Sequence, residues 1–230
     1  MNIKDFHVKK LGKRGKIVIW EVDGQRVRAK LDEEFTNFSQ HYEFKFIPEY
    51  EFWLDCKCNA NERKFFIQNL LVQWKLMRKG VTQRQAFDAG NAEEKAERAK
   101  SAEYSKALTK KGEPSLKQIH EKLLGKTKKG LSVYLISGSL VRDFYKVNFV
   151  SGGHGLVYDF VAEDEVWLDD GMDLSEIPYV LLHELYERRK MKKGLTYNQA
   201  HRFASKIEWK ARHAGDTLKK ELHKLGWDSN

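Results

Sequence analysis

Residues 183–201, which read HELYERRKMKKGLTYNQAH, contain side chains of the kinds that bind metal ions and transfer protons. His183 and Glu187 are four residues apart, so they share one face of a predicted helix. His201 and Glu208 are seven residues apart and share a face of the next predicted helix. Imidazole and carboxylate ligands suit Zn²⁺, or Mn²⁺ and Fe²⁺ where carboxylates predominate. The spacing predicts a divalent metal site, with zinc as the favoured ion.

The chemistry expected at such a site is activation of a water molecule for hydrolysis. His183, Glu187 and His201 are the predicted ligands, and Glu208 is either a fourth ligand or a residue that orients His201. His154, in the glycine-rich stretch SGGHG, is a further candidate ligand, because the two glycines before it would let its imidazole approach from the predicted sheet.

Glu184, next to the first ligand, is the predicted general base. The alternative for the pair His183 and Glu187 is a solvated, ion-paired helix face, since residues 182–193 carry many charges. His183 and Glu184 lie in the otherwise apolar context VLLHELYE, however, and burial of these two groups without partners would be costly. Their context favours a metal or buried partners.

The chain contains a second version of this stretch without most of its reactive side chains. A shift of 114 residues, with no gap, places EFWLD (51–55) on EVWLD (165–169), and 14 of 48 positions are identical between 51–98 and 165–212. The differences concentrate on the candidate site: Asn69 is replaced by His183, Leu70 by Glu184, Gln73 by Glu187, Phe87 by His201 and Gln40 by His154. We interpret this as a tandem duplication.

The duplication predicts a degenerate unit without a metal site at 1–105, a linker at 106–116 and a second unit with the site at 117–230. Each unit is expected to be α+β, with a small antiparallel sheet followed by a helical hairpin. The predicted strands of each unit are KIVIWEV or SVYLI, then RVRAKL or LVRDFYKV, then YEFKFI or LVYDFV. The hairpin is predicted from a helix that begins near Asp173 and ends at Gly194, and from a cap at Thr196.

Composition limits the classes of function. The net charge is +9 with a pI near 9.3, which favours polyanionic partners such as nucleic acid, although the chain lacks a recognised nucleic-acid-binding motif. The helical hairpin also fits a DNA-reading helix-turn-helix. Two cysteines, Cys56 and Cys58, give no disulfide framework, and no apolar run approaches the length of a membrane span. A cytoplasmic protein without membrane contact is expected.

The stretch His183-Glu184-Leu185-Tyr186-Glu187 resembles the H-E-x-x-H helix of the zincin metallopeptidases, whose two histidines bind zinc and whose glutamate is the base. The resemblance implies that His183 is a ligand, Glu184 the base, and His201 or Glu208 the third ligand. The sequence departs from the zincin pattern at Glu187, where zincins have histidine.

A wider pattern is similar to that of uncharacterised bacterial and phage-encoded proteins. It consists of Gly152-Gly153-His154, Phe160 to Asp169, His183 to Met191 and Tyr197 to His201. For a phage-encoded protein, the compartment would be the host cytoplasm.

Three hypotheses follow from the sequence. The first is a metal-dependent, peptidase-like hydrolase that acts on peptides through the second unit. The alternative is a non-catalytic, metal-stabilised module that binds nucleic acid or protein. The third is a phage structural or interaction protein whose duplicated units form a pseudo-dimeric surface and which holds no stoichiometric metal.

Overall fold

The structure is a computed structural model that describes residues 2–109, 112 and 114–228. The chain divides into two compact units: unit 1 is Met1–Pro114 with Ser139–Asn148, and unit 2 is Ser115–Gly138 with Phe149–Asn230. Each unit has one four-stranded sheet and several helices, so the protein is α+β as predicted. No helix in the described part of the chain is long and apolar enough to cross a membrane.

Unit 1 combines a sheet with a helical hairpin. Its elements are β1 (His7–Arg14), β2 (Ile17–Val22), α1 (Gly24–Lys30), β3 (Phe38–Gln40), β4 (Glu51–Asp55), α2 (Arg63–Arg78), α3 (Gln83–Ala99) and α4 (Ala102–Ala107). The strand order is β1-β2-β4-β3. Helix α2 lies against β3 and β4 and pairs with α3, so the hairpin covers one face of the sheet.

Unit 2 has the same arrangement with one helix added at its end. The elements in this part of the chain are α5 (Leu116–Ile119), β5 (His120–Lys126), β6 (Ser132–Ile136), α6 (Gly138–Phe144), β7 (Gly152–His154), β8 (Glu165–Asp169), α7 (Ile177–Met191), α8 (Tyr197–His213) and α9 (Thr217–Lys224). The strand order is β5-β6-β8-β7, and α7 lies against β7 and β8. All of α6 except Gly138 belongs to unit 1.

The two sheets correspond at positions 114 residues apart. Trp20 pairs with Trp53 between the parallel strands of unit 1, and Tyr134 pairs with Trp167 between those of unit 2. Trp53 and Trp167 are fully buried in the core. The similarity seen in sequence therefore falls on the same strands in the same register.

The prediction of a purely antiparallel sheet is wrong at its centre. Strands β2 and β4 are parallel, as are β6 and β8, and only the outer pairs are antiparallel. The predicted second strand is helix α1 or α6 instead. Asp23 begins α1 because its side chain accepts a hydrogen bond from the Arg26 N–H. The connection that contains α1 returns the chain to the starting end of β2, as a parallel pair requires.

The predicted third strand, YEFKFI or LVYDFV, is also wrong, because these residues form consecutive turns. The short edge strands β3 and β7 precede them. In unit 2 the Tyr158 N–H donates to the carbonyl of His154, and the Val161 N–H donates to that of Tyr158. Apolar and polar residues alternate here because the turns bury some of the apolar side chains, such as Val161. The alternation does not come from the pleat of a β-strand.

The helical hairpin of unit 2 is confirmed, apart from its first boundary. Thr196 and Gln199 form the predicted capping box of α8, and Gly194 has a φ of 91° in the turn before it. Helix α7 begins at Ile177, later than predicted, because the Asp173 side chain accepts from the Ser175 N–H in a preceding turn. In the predicted linker, Lys110, Lys111 and Glu113 lie outside the described residues.

Unit 1 contains a buried ion-pair network centred on Arg98 of α3. Its guanidinium lies 2.9 Å from Glu62, 2.8 Å from Glu94 and 2.9 Å from Asp143, and only 1% of the Arg98 side chain is exposed. Arg142 donates two further hydrogen bonds to Glu62, of 2.8 and 2.7 Å. Because Arg142 and Asp143 belong to α6, the network holds α6 within unit 1.

We expect Arg98→Met to lower the free energy of unfolding by about 3–5 kcal/mol, because the buried carboxylates of Glu94 and Asp143 would lose the cation beside them, while Glu62 would keep Arg142. Urea unfolding followed by circular dichroism measures this change. Arg84→Met, at an exposed position of the same helix, is the matched control and should change the stability by less than about 0.5 kcal/mol. Similar small losses in both variants would contradict the role given to Arg98.

Candidate metal centre

The predicted site residues of unit 2 come from two neighbouring helices and one short strand. His183, Glu184 and Glu187 lie on α7, His201 and Glu208 lie on α8, and His154 ends β7. Helices α7 and α8 are in contact along the hairpin, and α7 also contacts β7. The fold therefore brings all six residues into one region of unit 2.

Three ligand atoms converge in this region: Nε2 of His183, Nδ1 of His201 and Oε2 of Glu187. The two nitrogens are 3.0 Å apart, and the oxygen is 2.9 Å from the His201 nitrogen and 3.7 Å from the His183 nitrogen. Metal–ligand bonds of about 2.0–2.1 Å in a tetrahedral zinc site place neighbouring ligand atoms roughly 3.3 Å apart. The observed triangle has the dimensions of one face of such a tetrahedron.

Glu208 controls which nitrogen of His183 faces this triangle. Its Oε2 lies 2.9 Å from Nδ1 of His183, so Nδ1 donates a hydrogen bond to Glu208 and Nε2 faces the triangle. Arg212 fixes Glu208 in turn through a contact of 2.6 Å and also binds Glu176 at 2.8 Å. The histidine that contacts Glu208 is His183, whereas the sequence pointed to His201. Glu208 thus lies behind a ligand, the usual place of a carboxylate that orients a metal-binding histidine.

His154 is fully buried and lies next to the other oxygen of Glu187. Its Nε2 is 3.2 Å from Oε1 of Glu187, without the alignment of a good hydrogen bond. Its Nδ1 accepts a hydrogen bond from the Leu156 N–H, so the proton of the neutral ring is on Nε2. Although His154, Glu184 and Glu187 form a second group of potential ligands, this tautomer favours a role for His154 in holding Glu187.

The two carboxyl groups of α7 differ in their affinity for protons. Burial raises the pKa of Glu184 to about 7, although nearby His154 and His183 oppose this rise. Burial acts in the same direction on Glu187, but its close contacts with the imidazoles of His154, His183 and His201 outweigh burial and hold its pKa well below the ordinary value. The surroundings therefore favour the anionic form of Glu187, the form that binds a metal ion, whereas Glu184 is the carboxyl group with the higher affinity for a proton.

Gly152 and Gly153 make room for two side chains of the site. A Cβ atom at Gly152 would lie 3.1 Å from Oε1 of Glu184, and one at Gly153 would lie 2.5 Å from the ring of Tyr158. Since the second distance is shorter than real Cβ contacts allow, a side chain at Gly153 would displace Tyr158. The glycines were expected to let His154 approach the site, and the structure shows that they admit Glu184 and Tyr158.

Tyr158 is a candidate functional residue that the sequence-based search missed. Burial raises the pKa of its phenol, and the carboxylates of Glu184 and Glu187 act in the same direction, so the phenol stays protonated. The signal was present in the sequence, because the position 114 residues earlier is Phe44. The rings of Tyr158 and Phe44 contact equivalent aromatic neighbours, and the extra hydroxyl occurs only in the unit with the site.

Unit 1 fills the matching region with amides that bind one another. The Gln73 side-chain amide donates to Asn69 at 2.5 Å, and Asn69 donates to Glu94 at 2.6 Å. Gly90 allows this arrangement, since a Cβ there would lie 2.2 Å from the Asn69 oxygen. Among the described residues, groups of potential metal ligands occur only in unit 2. Unit 1 keeps the hydrogen-bonding positions and lacks the ligands.

Unit 2 therefore contains His and Glu groups that could hold a metal ion. The group formed by His183, Glu187 and His201 is open to solvent at His201, whose side chain is 32% exposed. The donor set of this group, two imidazoles and one carboxylate, fits a divalent ion such as zinc. Comparisons of the chain with protein-family models, with curated proteins and with solved structures give no match.

Proposed function

We propose that the protein is a metal-dependent hydrolase whose reactive centre is the His/Glu cluster of unit 2. The observation that carries this proposal is the triangle of three ligand atoms. Beside it lies the buried carboxyl group of Glu184, which is not one of the three ligands. Hydrolytic zinc sites have three protein ligands and leave one position for water. The partial exposure of His201 gives such a position access to solvent.

Zinc is the ion that we propose, since two imidazoles and one carboxylate are a donor set of catalytic zinc sites, with Mn²⁺ or Fe²⁺ as alternatives. A bound ion would lower the pKa of a water molecule in its open position. His183 and His201 act as neutral ligands, and Glu187 supplies the negative charge. Glu208 keeps the proton of His183 on the nitrogen that faces away from the ion.

Glu184 and Tyr158 supply the remaining chemistry in this proposal. The Glu184 carboxylate accepts the proton of the attacking water and returns it to the leaving group, a task suited to a group with a pKa near 7. The Tyr158 phenol donates a hydrogen bond to the oxygen on which negative charge develops. The similarity of residues 183–187 to the zincin helix supports a peptide as substrate.

We further propose that the two units arose by tandem duplication and that unit 1 has lost its metal ligands. The equal strand order and the register at positions 114 apart support this proposal. Unit 1 then serves as a structural partner without chemistry of its own.

The second candidate is a non-catalytic module in which the ion stabilises unit 2 and the surface binds nucleic acid or protein. A concentration of Lys and Arg side chains on the opposite face of α7 favours it. The two candidates differ in the fourth position of the ion, which a hydrolase leaves to water and a structural site closes with a protein ligand.

Removal of the ion tests the proposed function. We expect the purified protein to cleave some members of a mixed peptide library, to lose this cleavage after treatment with a chelator, and to regain it when zinc is added. Mass spectrometry of the peptides measures cleavage, and circular dichroism checks that the fold persists. Cleavage that survives complete removal of metal would contradict the proposal, whereas a metal-bound protein without any cleavage would favour the binding module.

A further inference from the structure

A cleft of about 950 Å³ lies in unit 2 on the face of α7 opposite to the metal cluster. Its walls are the turn between β5 and β6, the residues before β8, the second half of α7 and the end of α9. Leu185 and Arg188 face the cleft, whereas His183 and Glu187 on the same helix face the cluster, as the helical period requires. The cleft is thus separate from the metal site.

The lining of the cleft combines a strong positive charge with apolar patches. Seven Lys and Arg side chains line it against two carboxylates, those of Glu163 and Asp164. Leu131, Leu185 and Leu225 also line it and contribute apolar surface. Such a lining suits a ligand that is both anionic and partly apolar.

Arg188 is the residue that points most directly to a ligand. It is 5% exposed, and its Nη2 donates to the carbonyl of Glu163, but its Nη1 has no hydrogen-bond partner among the described residues. The position 114 residues earlier is Trp74, whose Nε1 donates to the matching carbonyl of Glu49 at 3.0 Å. The arginine keeps the hydrogen bond of the tryptophan and adds a buried charge with a free donor. A buried donor without a hydrogen-bond partner costs free energy, so an acceptor bound in the cleft would stabilise Arg188.

The comparison with unit 1 also explains why the cleft is open. In unit 1 the ring of Trp74 lies against Tyr50, with centroids 5.8 Å apart, and the guanidinium of Arg78 lies 4.6 Å above Trp74. In unit 2 the two aromatic positions hold Arg188 and Asp164, so this pair of rings is absent from the cleft wall. Unit 2 has exchanged aromatic packing for basic side chains around a cavity.

We propose that this cleft binds a single strand of nucleic acid through its sugar–phosphate backbone. The phosphates contact the Lys and Arg side chains, and the sugars contact the leucines. Arg188 gains an acceptor for its free Nη1. None of the described lining residues is Phe, Tyr or Trp, so the contacts are with phosphates and sugars, which carry no sequence information, and recognition is independent of sequence. The proposal does not depend on the hydrolase activity, because the cleft and the metal cluster lie on opposite faces of α7.

Fluorescence anisotropy of a labelled single-stranded oligonucleotide of about 20 nucleotides tests the proposal. We expect the double variant Lys192→Glu/Lys193→Glu to bind at least about tenfold more weakly than the native protein near 0.1 M salt. The slope of the logarithm of the binding constant against the logarithm of the salt concentration should become shallower by about 1.4, because two phosphate contacts are lost. Arg188→Trp, which restores the residue of unit 1, should also weaken binding without loss of the fold.

The matched control is Lys219→Glu/Lys220→Glu, which makes the same change of charge at exposed positions of α9 outside the cleft. Binding by this control within about twofold of the native protein supports the cleft as the site. Equal weakening in both double variants, absence of binding by the native protein, or equal affinity for duplex and single strand would each overturn the proposal. Binding with and without a chelator separates it from the metal site, since the cleft should bind the oligonucleotide in both cases.

Discussion

Replacement of His183 by alanine is expected to deprive the protein of its metal ion. The native protein should retain about one divalent ion per chain, because three ligand atoms converge within 3.7 Å of one another in unit 2. Without the His183 imidazole, two ligands remain. The affinity for the ion should then fall by more than the 10–100-fold that is typical when a residue that hydrogen-bonds a ligand is replaced. Elemental mass spectrometry of the dialysed proteins gives the metal content.

His213→Ala is the matched control, because this histidine lies on α8 but is exposed and away from the cluster. It should keep the native metal content. Absence of metal from the native protein would refute the site and the hydrolase together. Two ions per chain would instead show that His154, Glu184 and Glu187 hold a second ion, and Glu184 would then be a ligand and not a base.

Glu184→Gln is expected to lower the turnover of a cleaved peptide by about 10²–10⁴-fold while the metal content stays the same. The amide has nearly the shape of the carboxyl group and fits beside Gly152, but it cannot accept a proton from water. Steady-state kinetics on a peptide from the library gives the turnover, and elemental analysis of the same sample gives the metal content. The thermal unfolding midpoint shows whether the variant keeps its stability.

Glu121→Gln, an exposed carboxylate of β5, is the control for the general effect of losing one negative charge. It should leave both turnover and metal content unchanged. Unchanged turnover in Glu184→Gln would remove Glu184 from the mechanism. Loss of the ion together with turnover would identify Glu184 as a ligand, so the two measurements separate binding of the ion from transfer of the proton.

The local parts of the fold could be predicted from sequence, because caps and helix ends depend on neighbouring residues. The turn of the helical hairpin was predicted correctly from the cap of Thr196 with Gln199 and from Gly194 before them. The sheet could not be predicted in the same way, since strand direction depends on pairing between distant segments. The cap at Asp23 was the missed signal: it begins α1 where alternating apolar residues had predicted a strand.

The composition of the candidate site could be predicted, but its arrangement could not. The shared helix face of His183 and Glu187 follows from their spacing alone. The partner of Glu208 depends on the rotation of α8 against α7, which the sequence does not specify, and the structure gives His183. Tyr158 could have been found by comparing every position of the two repeats, including those outside the metal-binding residue types.

Gly152 and Gly153 determine how readily a site of this kind can evolve. At the matching positions unit 1 has Phe38 and Ser39, and the ring of Phe38 stacks on Phe66 with centroids 4.5 Å apart. A carboxylate introduced beside that ring would meet apolar surface, so the proposed base and the glycine that makes room for it are beneficial only together. Under the proposed duplication, one substitution at either position would be enough to lose the base, whereas both changes would be needed to regain it.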